Sequence, residues 1–145
     1  MTDRRPRISL VGCGSAKRDD PSPARDLYTS GYFSKKREYA EELADRWYVL
    51  SAEHGILLPD STIDPYDTSI DDLDQEELES WSSTVIETIS LLEDDAIEID
   101  LLAGRGYIEP IRDGLDDLGH DVNEPFAETS GIGEQLALLG NRIEC

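Results

Sequence analysis

The sequence predicts a single α/β domain over residues 1–145, with a three-layer, Rossmann-like arrangement and a mostly parallel sheet of about four strands. Short apolar runs alternate with segments of helical periodicity in the order β-α-β-α-β-α-β-α. Two of these runs end in small polar loops, as parallel strands commonly do at the carboxyl edge of a sheet. A chain of 145 residues buries roughly two-thirds of its unfolded surface, so it needs no disulfide to form a core.

Four apolar runs are the predicted strands, and they span about 7–11, 47–50, 96–102 and 121–125. We expect the first two strands to be adjacent, or separated by one strand, with their carboxyl ends at one edge of the sheet. The stretches 19–32 and 55–73 contain prolines and show no apolar period, so we predict long loops there. Crossovers between the strands should be right-handed.

Apolar residues at helical spacing predict the helices. The clearest helix begins at Asp74, where Glu77 completes a capping box. Its apolar face consists of Leu78, Trp81, Val85, Ile89 and Leu92. A later helix, which Gly119 can end, has a stripe made up of Ile108, Ile111, Leu115 and Leu118. Two further helices are predicted, one over about 34–46 and one at the end of the chain with Leu136 and Leu139.

The charge of the chain is strongly negative. It has 33 acidic residues, 13 basic residues and a net charge of −20, and only Lys17, Lys35 and Lys36 are lysines. This composition favours a halophilic, cytoplasmic protein, because salt screens the repulsion between carboxylates. The alternative is an ordinary acidic protein. The sequence has no basic stripe to neutralise phosphates, so duplex nucleic acid is not an expected partner.

Metal sites and membrane segments are not expected. Cys13 and Cys145 are too few cysteines for a disulfide framework. His54 and His120 lack the spacing of metal ligands, so we predict neither a metal nor a cofactor. No apolar run in the sequence reaches membrane-spanning length, and no signal-peptide segment follows the first residues. The composition leaves a homodimer open.

The first polar loop follows strand 7–11 and has the sequence GCGSAK. Its backbone N–H groups and its lysine are suited to an anion or a nucleotide. The ligand-binding candidates in this loop are Gly12, Gly14, Ser15 and Lys17. A dinucleotide fingerprint is excluded, because Lys17 stands where the third glycine is needed and prolines follow instead of a helix. The alternative is a tight glycine turn beside an exposed lysine.

The second polar loop follows strand 47–50 and carries Ser51 and His54. His54 is a candidate general acid or base, because a loop after a strand can direct the imidazole into a crevice. Cys13 is a candidate nucleophile that His54 would activate. The alternatives are a small buried thiol and a histidine that hydrogen-bonds to the loop backbone. Ser51 is a further ligand-binding candidate.

The remaining ligand-binding candidates are Arg25, Tyr28, Tyr66, Asp67, Gly104, Gly131 and Gly133. The arginine, tyrosine and aspartate side chains lie in the two predicted long loops, where they could contact a ligand or only pin the loop. Gly104 follows the third predicted strand. The last two glycines open the final helix, whose start could bind an anion or be a plain serine N-cap.

Five motifs occur in series: GCGSAK at 12–17, PARDLY at 23–28, LSAEHG at 50–55, PYD at 65–67 and GIG at 131–133. Together they resemble the DUF6884 type, an uncharacterised family of small prokaryotic and phage proteins, and more distantly the YaaA peroxide-stress proteins. Glu53 departs from the family pattern, which has lysine there, so Glu53 is not a catalytic candidate. The resemblance implies a shared site rather than a known activity. With the acidic composition, it indicates a haloarchaeal or halophilic-virus member.

Two classes of function fit these residues. The first is an enzyme of nucleic-acid metabolism, a hydrolase or transferase that binds a nucleotide or nucleobase and acts at a glycosidic or acyl-type bond. His54 would be its acid or base and Cys13 its nucleophile. The second class is a non-catalytic nucleotide- or DNA-binding module in stress or defence. Either way, the expected partner is an anionic small molecule or nucleotide.

The acidic composition predicts a dependence of stability on salt. Screening lengths fall from roughly 30 Å at 0.01 M salt to about 3 Å at 1 M, which weakens the repulsion among 33 carboxylates. We expect the melting temperature to rise steadily from dilute buffer to molar KCl, as followed by circular dichroism. A flat profile across that range would contradict the halophilic interpretation.

Overall fold

The computed structural model describes residues 6–13, 17–93 and 96–124. Its strands are β1 (Arg7–Gly12), β2 (Ser22–Pro23), β3 (Arg46–Ser51), β4 (Gly55–Leu57), β5 (Thr62–Ile63), β6 (Glu98–Leu102) and β7 (Asp121–Asn123). Its helices are α1 (Ala24–Leu27), α2 (Gly31–Leu43), α3 (Gln75–Leu92) and α4 (Arg105–Asp117), with a 3₁₀ turn at Ile70–Asp72. The chain is therefore a mixed α/β protein, as the sequence predicts.

The main sheet has five strands in the order β4-β3-β1-β6-β7. The central strand β1 pairs in parallel with both β3 and β6, and β7 pairs in parallel with β6. The prediction of a mostly parallel sheet is confirmed. The two strands that precede the polar loops are direct neighbours, and their carboxyl ends lie at the same edge.

Both predicted long loops contain regular structure, so the sequence interpretation was wrong there. Gly55 adopts a φ of 75°, which reverses the chain and lets β4 pair antiparallel with the end of β3. Within 19–32, β2 pairs antiparallel with β5 and is followed directly by α1. Segments of two to four residues are too short to show an apolar period, and their pairing depends on distant partners.

Alternate side chains of the central strands enter two hydrophobic clusters. In β1, Ile8 and Leu10 belong to one cluster and Val11 belongs to the other. The helical members of the first cluster come from α3 and α4 and include Trp81, Val85, Ile89, Ile108, Ile111 and Leu115. Those of the second come from α1 and α2 and include Ala24, Leu27, Phe33, Tyr39 and Ala40. The sheet is thus anchored by two separate sets of helices.

The helix signals are largely confirmed. Asp74 and Glu77 form the predicted capping box at the start of α3, and Gly119, with a φ of 92°, follows the end of α4. Leu92 and Leu118 are 40% and 46% exposed, so the buried stripes stop before them. Helix α2 begins at Gly31, before the predicted start, because the Ser30 hydroxyl caps it.

Of the last strand and the last helix predicted from the sequence, the structure describes only the strand. The final strand is observed as β7, and the final helix with Leu136 and Leu139 lies outside the described residues. None of the helices within the described ranges has the length and apolar character that crossing a membrane requires.

Gly12, the last residue of β1, lies too close to a neighbouring segment for a larger side chain to fit. A Cβ atom at Gly12 would lie 2.8 Å from the Cβ of Ala103, which follows β6. We expect Gly12→Ala to lower the free energy of unfolding by about 1–3 kcal/mol, since both atoms are fixed to backbone. Urea unfolding in molar KCl measures this effect.

Gly31→Ala is the matched control, because a Cβ there meets no described atom within 4 Å. It should leave stability unchanged or raise it by up to about 1 kcal/mol. Equal stabilities of the two variants would contradict the close approach at Gly12.

Candidate functional site

A cavity of about 280 Å³ opens beyond the carboxyl end of β1. We call it the cysteine cavity; it is lined by Cys13, Lys17, Asp67, Thr68, Ser69, Ile70, Asp71 and Tyr107. It brings together three residues that the sequence singles out, Cys13, Lys17 and Asp67. They come from both of the segments that follow the neighbouring strands.

Cys13 occupies the first position after β1. Its backbone N–H donates to the Leu50 carbonyl at 3.1 Å, which continues the pairing with β3 beyond the end of β1. Its half-buried sulfur lies 3.3 Å from the hydroxyl of Tyr107, in the first turn of α4. The Tyr107 ring packs against Trp81 of α3, with 5.9 Å between ring centroids. The thiol is therefore held by the strand behind it and faces an oriented phenol.

Three hydroxyl groups form a chain beside this cavity. The Tyr66 hydroxyl lies 2.6 Å from the Tyr28 hydroxyl and 2.6 Å from the Ser51 hydroxyl. The ammonium of Lys17 lies 4.5 Å from the Tyr66 ring centroid and 5.7 Å from that of Tyr28, within the range of cation–π attraction. Four predicted residues thus meet in one network.

Burial raises the pKa of Tyr28, Tyr66 and Tyr107 above the ordinary value for tyrosine. A negative charge on Cys13 adds to each shift, because a second anion nearby is disfavoured. The three phenols therefore stay protonated at neutral pH. They are hydrogen-bond donors toward a ligand or toward the sulfur, rather than bases.

His54 belongs to the same edge but to a different cavity. The Ser51 hydroxyl accepts from the backbone N–H groups of Glu53, at 3.2 Å, and His54, at 3.1 Å. The imidazole packs edge-on against Tyr66, with 5.2 Å between ring centroids. His54 lines a cavity of about 520 Å³ whose lining includes several carboxylates and does not include Cys13. None of the cavities described in this part of the chain is lined by both Cys13 and His54. Tyr66 lies between the two predicted catalytic residues, because its ring contacts His54 and its hydroxyl interacts with Cys13.

Lys36 is a site residue that the sequence analysis did not select. Its ammonium donates to the Gly12 carbonyl at 2.8 Å, and its side chain is only 5% exposed. Burial lowers its pKa from 10.5 to about 8, and a negative charge on Cys13 opposes that shift. The sequence does contain a signal for the burial of Lys36. It lies at helical spacing with Phe33, Ala40 and Leu43, which form the buried face of α2.

Tyr107 was also missed. The sequence analysis used the apolar stripe of α4, which begins one residue later at Ile108. The signal available was its position, because Tyr107 follows the carboxyl end of a third parallel strand, β6. Gly104, predicted as ligand-binding, is the N-cap of α4, and a Cβ there would meet no described atom within 4 Å.

The other predicted ligand-binding residues are dispersed. Arg25 forms ion pairs with Asp26 and Asp60 and lines a separate cavity. Gly12 contributes its carbonyl and its close contact with Ala103. The predicted positions outside the described residues are Gly14, Ser15, Gly131 and Gly133. Within the described ranges, no cluster of three or more His, Cys, Asp or Glu side chains could hold a metal ion.

Comparison with known proteins assigns a family but no activity. A family model matches residues 8–141 of the chain. The chain belongs to DUF6884, a family of unknown function. It is similar to the uncharacterised protein YfjM of Bacillus subtilis (strain 168), with 26% identity over 155 aligned positions that cover 95% of each chain. No solved structure matches significantly. The family membership expected from the motif series is confirmed.

Buried Lys36 predicts a dependence of stability on pH. Between about pH 8 and 10.5 the unfolded lysine carries a proton that the folded lysine has lost. Unfolding then takes up a proton, so stability rises with pH across this window. Relative to Lys36→Met, we expect the free energy of unfolding of the wild type to rise by roughly 2–4 kcal/mol over the window.

Chemical unfolding at several pH values measures this difference, and the variant keeps all tyrosines, whose titration has the opposite effect. Lys35→Met is the matched control, because the Lys35 side chain is 49% exposed and pairs with Glu38. If Lys35→Met and Lys36→Met change the pH profile equally, Lys36 does not titrate in a buried position.

Proposed function

We propose that the chain is an enzyme that binds a nucleobase, either free or as the base of a mononucleotide, in the cysteine cavity and acts at an acyl-type or glycosidic bond. Cys13 is its nucleophile and His54 its acid or base, on a three-layer, Rossmann-like scaffold. The observation that carries the proposal is the 3.3 Å contact between the Cys13 sulfur and the Tyr107 hydroxyl in a polar cavity at the carboxyl edge of the sheet.

The size and lining of the cavity support a nucleobase as the group bound there. A volume of about 280 Å³ is at the low end for small-molecule sites, which suits one ring system rather than a dinucleotide. Asp67 and Asp71 can accept hydrogen bonds, while Lys17 and Tyr107 can donate them. A nucleobase edge presents both donors and acceptors. Two carboxylates against one lysine disfavour a phosphate in this cavity.

The thiol supports covalent chemistry. In the acyl version, the Cys13 sulfur loses its proton to a base and attacks the carbonyl carbon, forming a C–S bond as the leaving group departs with a proton. Water then cleaves the thioester and restores the thiol. Protonated Tyr107 donates a hydrogen bond either to the sulfur or to the oxygen on which charge develops. Lys36 fixes the Gly12 carbonyl one residue before the nucleophile.

His54 is proposed to move the proton. Its backbone is held by Ser51, so its position depends on the end of β3. Its ring contacts Tyr66, whose hydroxyl is hydrogen-bonded to Ser51 and Tyr28. The same Tyr66 hydroxyl interacts with Cys13, so Tyr66 lies between the two proposed catalytic groups. This arrangement supports His54 as acid or base at a distance from the sulfur.

Thiol modification tests the proposed site. In a Cys145→Ser background, Cys13 is the one remaining cysteine. We expect calorimetry with a panel of nucleobases, nucleosides and 5′-mononucleotides to identify a ligand of the unmodified protein. Alkylation with iodoacetamide should abolish that binding, because the added group occupies the cavity. In the same background, the affinity of Cys13→Ser for the ligand should be within about threefold of the wild-type affinity, since serine preserves the cavity volume. Iodoacetamide should not change the binding by this variant, because the variant has no thiol.

Catalysis is tested with the ligands so identified and their N-glycosyl or acyl derivatives. Cys13→Ser and His54→Ala should each lower turnover by about 10²-fold or more, measured as release of the free base or acid by chromatography. Unchanged binding after alkylation would contradict the cysteine cavity as the site. Binding without turnover in the wild type would make the chain a non-catalytic nucleotide-binding module.

A further inference from the structure

One segment of this acidic chain is basic. Residues 17–37 contain six of the 13 basic residues and three of the 33 acidic residues, so the segment has a net charge of +3 in a chain of −20. All three lysines of the chain lie within it. A positive segment on a strongly negative protein concentrates the attraction for anions at one place.

Three arginines of this segment line one cavity of about 280 Å³, which we call the arginine cavity. Arg18, Arg25 and Arg37 face it together with Asp26 and the hydroxyl residues Thr29 and Ser34. The lining itself has one carboxylate, Asp26, while Asp60 and Glu41 pair with Arg25 and Arg37 from outside the lining. Arginine clusters with planar N–H donors are the usual means of binding phosphate groups in proteins.

The start of α2 adds to the positive charge of this cavity. Ser34 lies in the first turn of this helix of 13 residues, where the N-terminal end of the helix dipole is positive. The first turn contains no acidic residue that would offset this charge. The first turn of α3, by contrast, contains Glu76 and Glu77.

Two of the arginines are held in place and the third is available. Arg37 donates to the Arg25 carbonyl and to Asp26, each at 3.0 Å, and to Glu41 at 3.2 Å. Arg25 forms ion pairs with Asp26 and Asp60. No hydrogen bond or ion pair joins the exposed Arg18 guanidinium to another residue of the described part of the chain. The cavity therefore has two ion-paired arginines as its wall and, as far as the described residues go, one guanidinium that can contact a ligand.

We propose that the arginine cavity is a second binding site, which takes the phosphate group of the ligand. This rests on the proposed function in one respect, namely that the rest of a nucleotide occupies the cysteine cavity. Tyr28 connects the two sites: it lines the arginine cavity, and its hydroxyl contacts Tyr66 beside the cysteine cavity. Lys17 pairs with Tyr28 through the backbone, and the next residue, Arg18, lines the arginine cavity.

Calorimetry at one fixed KCl concentration tests the site with three probes: inorganic phosphate, 5′-AMP as a phosphomonoester, and a dinucleoside phosphodiester. Arg18→Gln should weaken binding of inorganic phosphate by about tenfold, since one charge-assisted contact is lost. Arg105→Gln is the control, because Arg105 is 64% exposed and lies on α4; it should change affinity by less than about twofold. Arg18 is exposed, so both variants should keep the wild-type circular dichroism.

The nucleotide probes identify the source of the phosphate. If Arg18→Gln lowers the affinity for 5′-AMP but not for the phosphodiester, the natural ligand is a free mononucleotide. If it lowers the affinity for both, the natural ligand is a nucleic-acid strand. Phosphate binding that survives alkylation of Cys13 supports the arginine cavity even if the cysteine cavity fails its own test. Absence of phosphate binding by the wild type at tens of millimolar, or equal weakening by Arg18→Gln and Arg105→Gln, would overturn the proposal.

Discussion

The candidate site depends on the parallel pairing of β1 with both of its neighbours. Because β3 and β6 run in the same direction as β1, the chain leaves all three strands at one edge. Cys13 follows the first of them, Ser51 ends the second, and α4 with Tyr107 begins just after the third. Gly12 and Ala103 are in close contact, so the carboxyl ends of β1 and β6 lie side by side. A register shift in β1 would separate the thiol from the phenol.

The sequence was sufficient for the elements that carry their own pattern. The three long strands, the capping box of α3 and the glycine after α4 were found because burial and capping leave local signals. The short strands β2, β4 and β5 were missed, since pairing between distant segments creates them. Lys36 was missed for a related reason: apolar periodicity does not count a lysine, although this lysine lies on the buried face of α2.

The polar groups of the site differ from those of the rest of the surface. The surface as a whole is acidic and suited to water and cations. At the carboxyl edge, a buried ammonium, three protonated phenols and a thiol lie within one connected set of contacts. Placing these groups out of water has a cost in stability, which natural proteins tolerate mainly at functional sites. Such a concentration favours function over support as the role of this edge.

The short outer strands of the sheet also limit how this chain can associate. In the described part of the chain, the sheet ends at β4 on one side and at β7 on the other, and each has three residues. A strand of that length exposes few unpaired backbone groups, so another chain gains little by extending the sheet. Edge-to-edge aggregation through β4 or β7 as described is therefore disfavoured by their length as well as by charge repulsion. For residues 6–13, 17–93 and 96–124, ordered self-association is thus better served by side chains of the helices than by the backbone of the sheet.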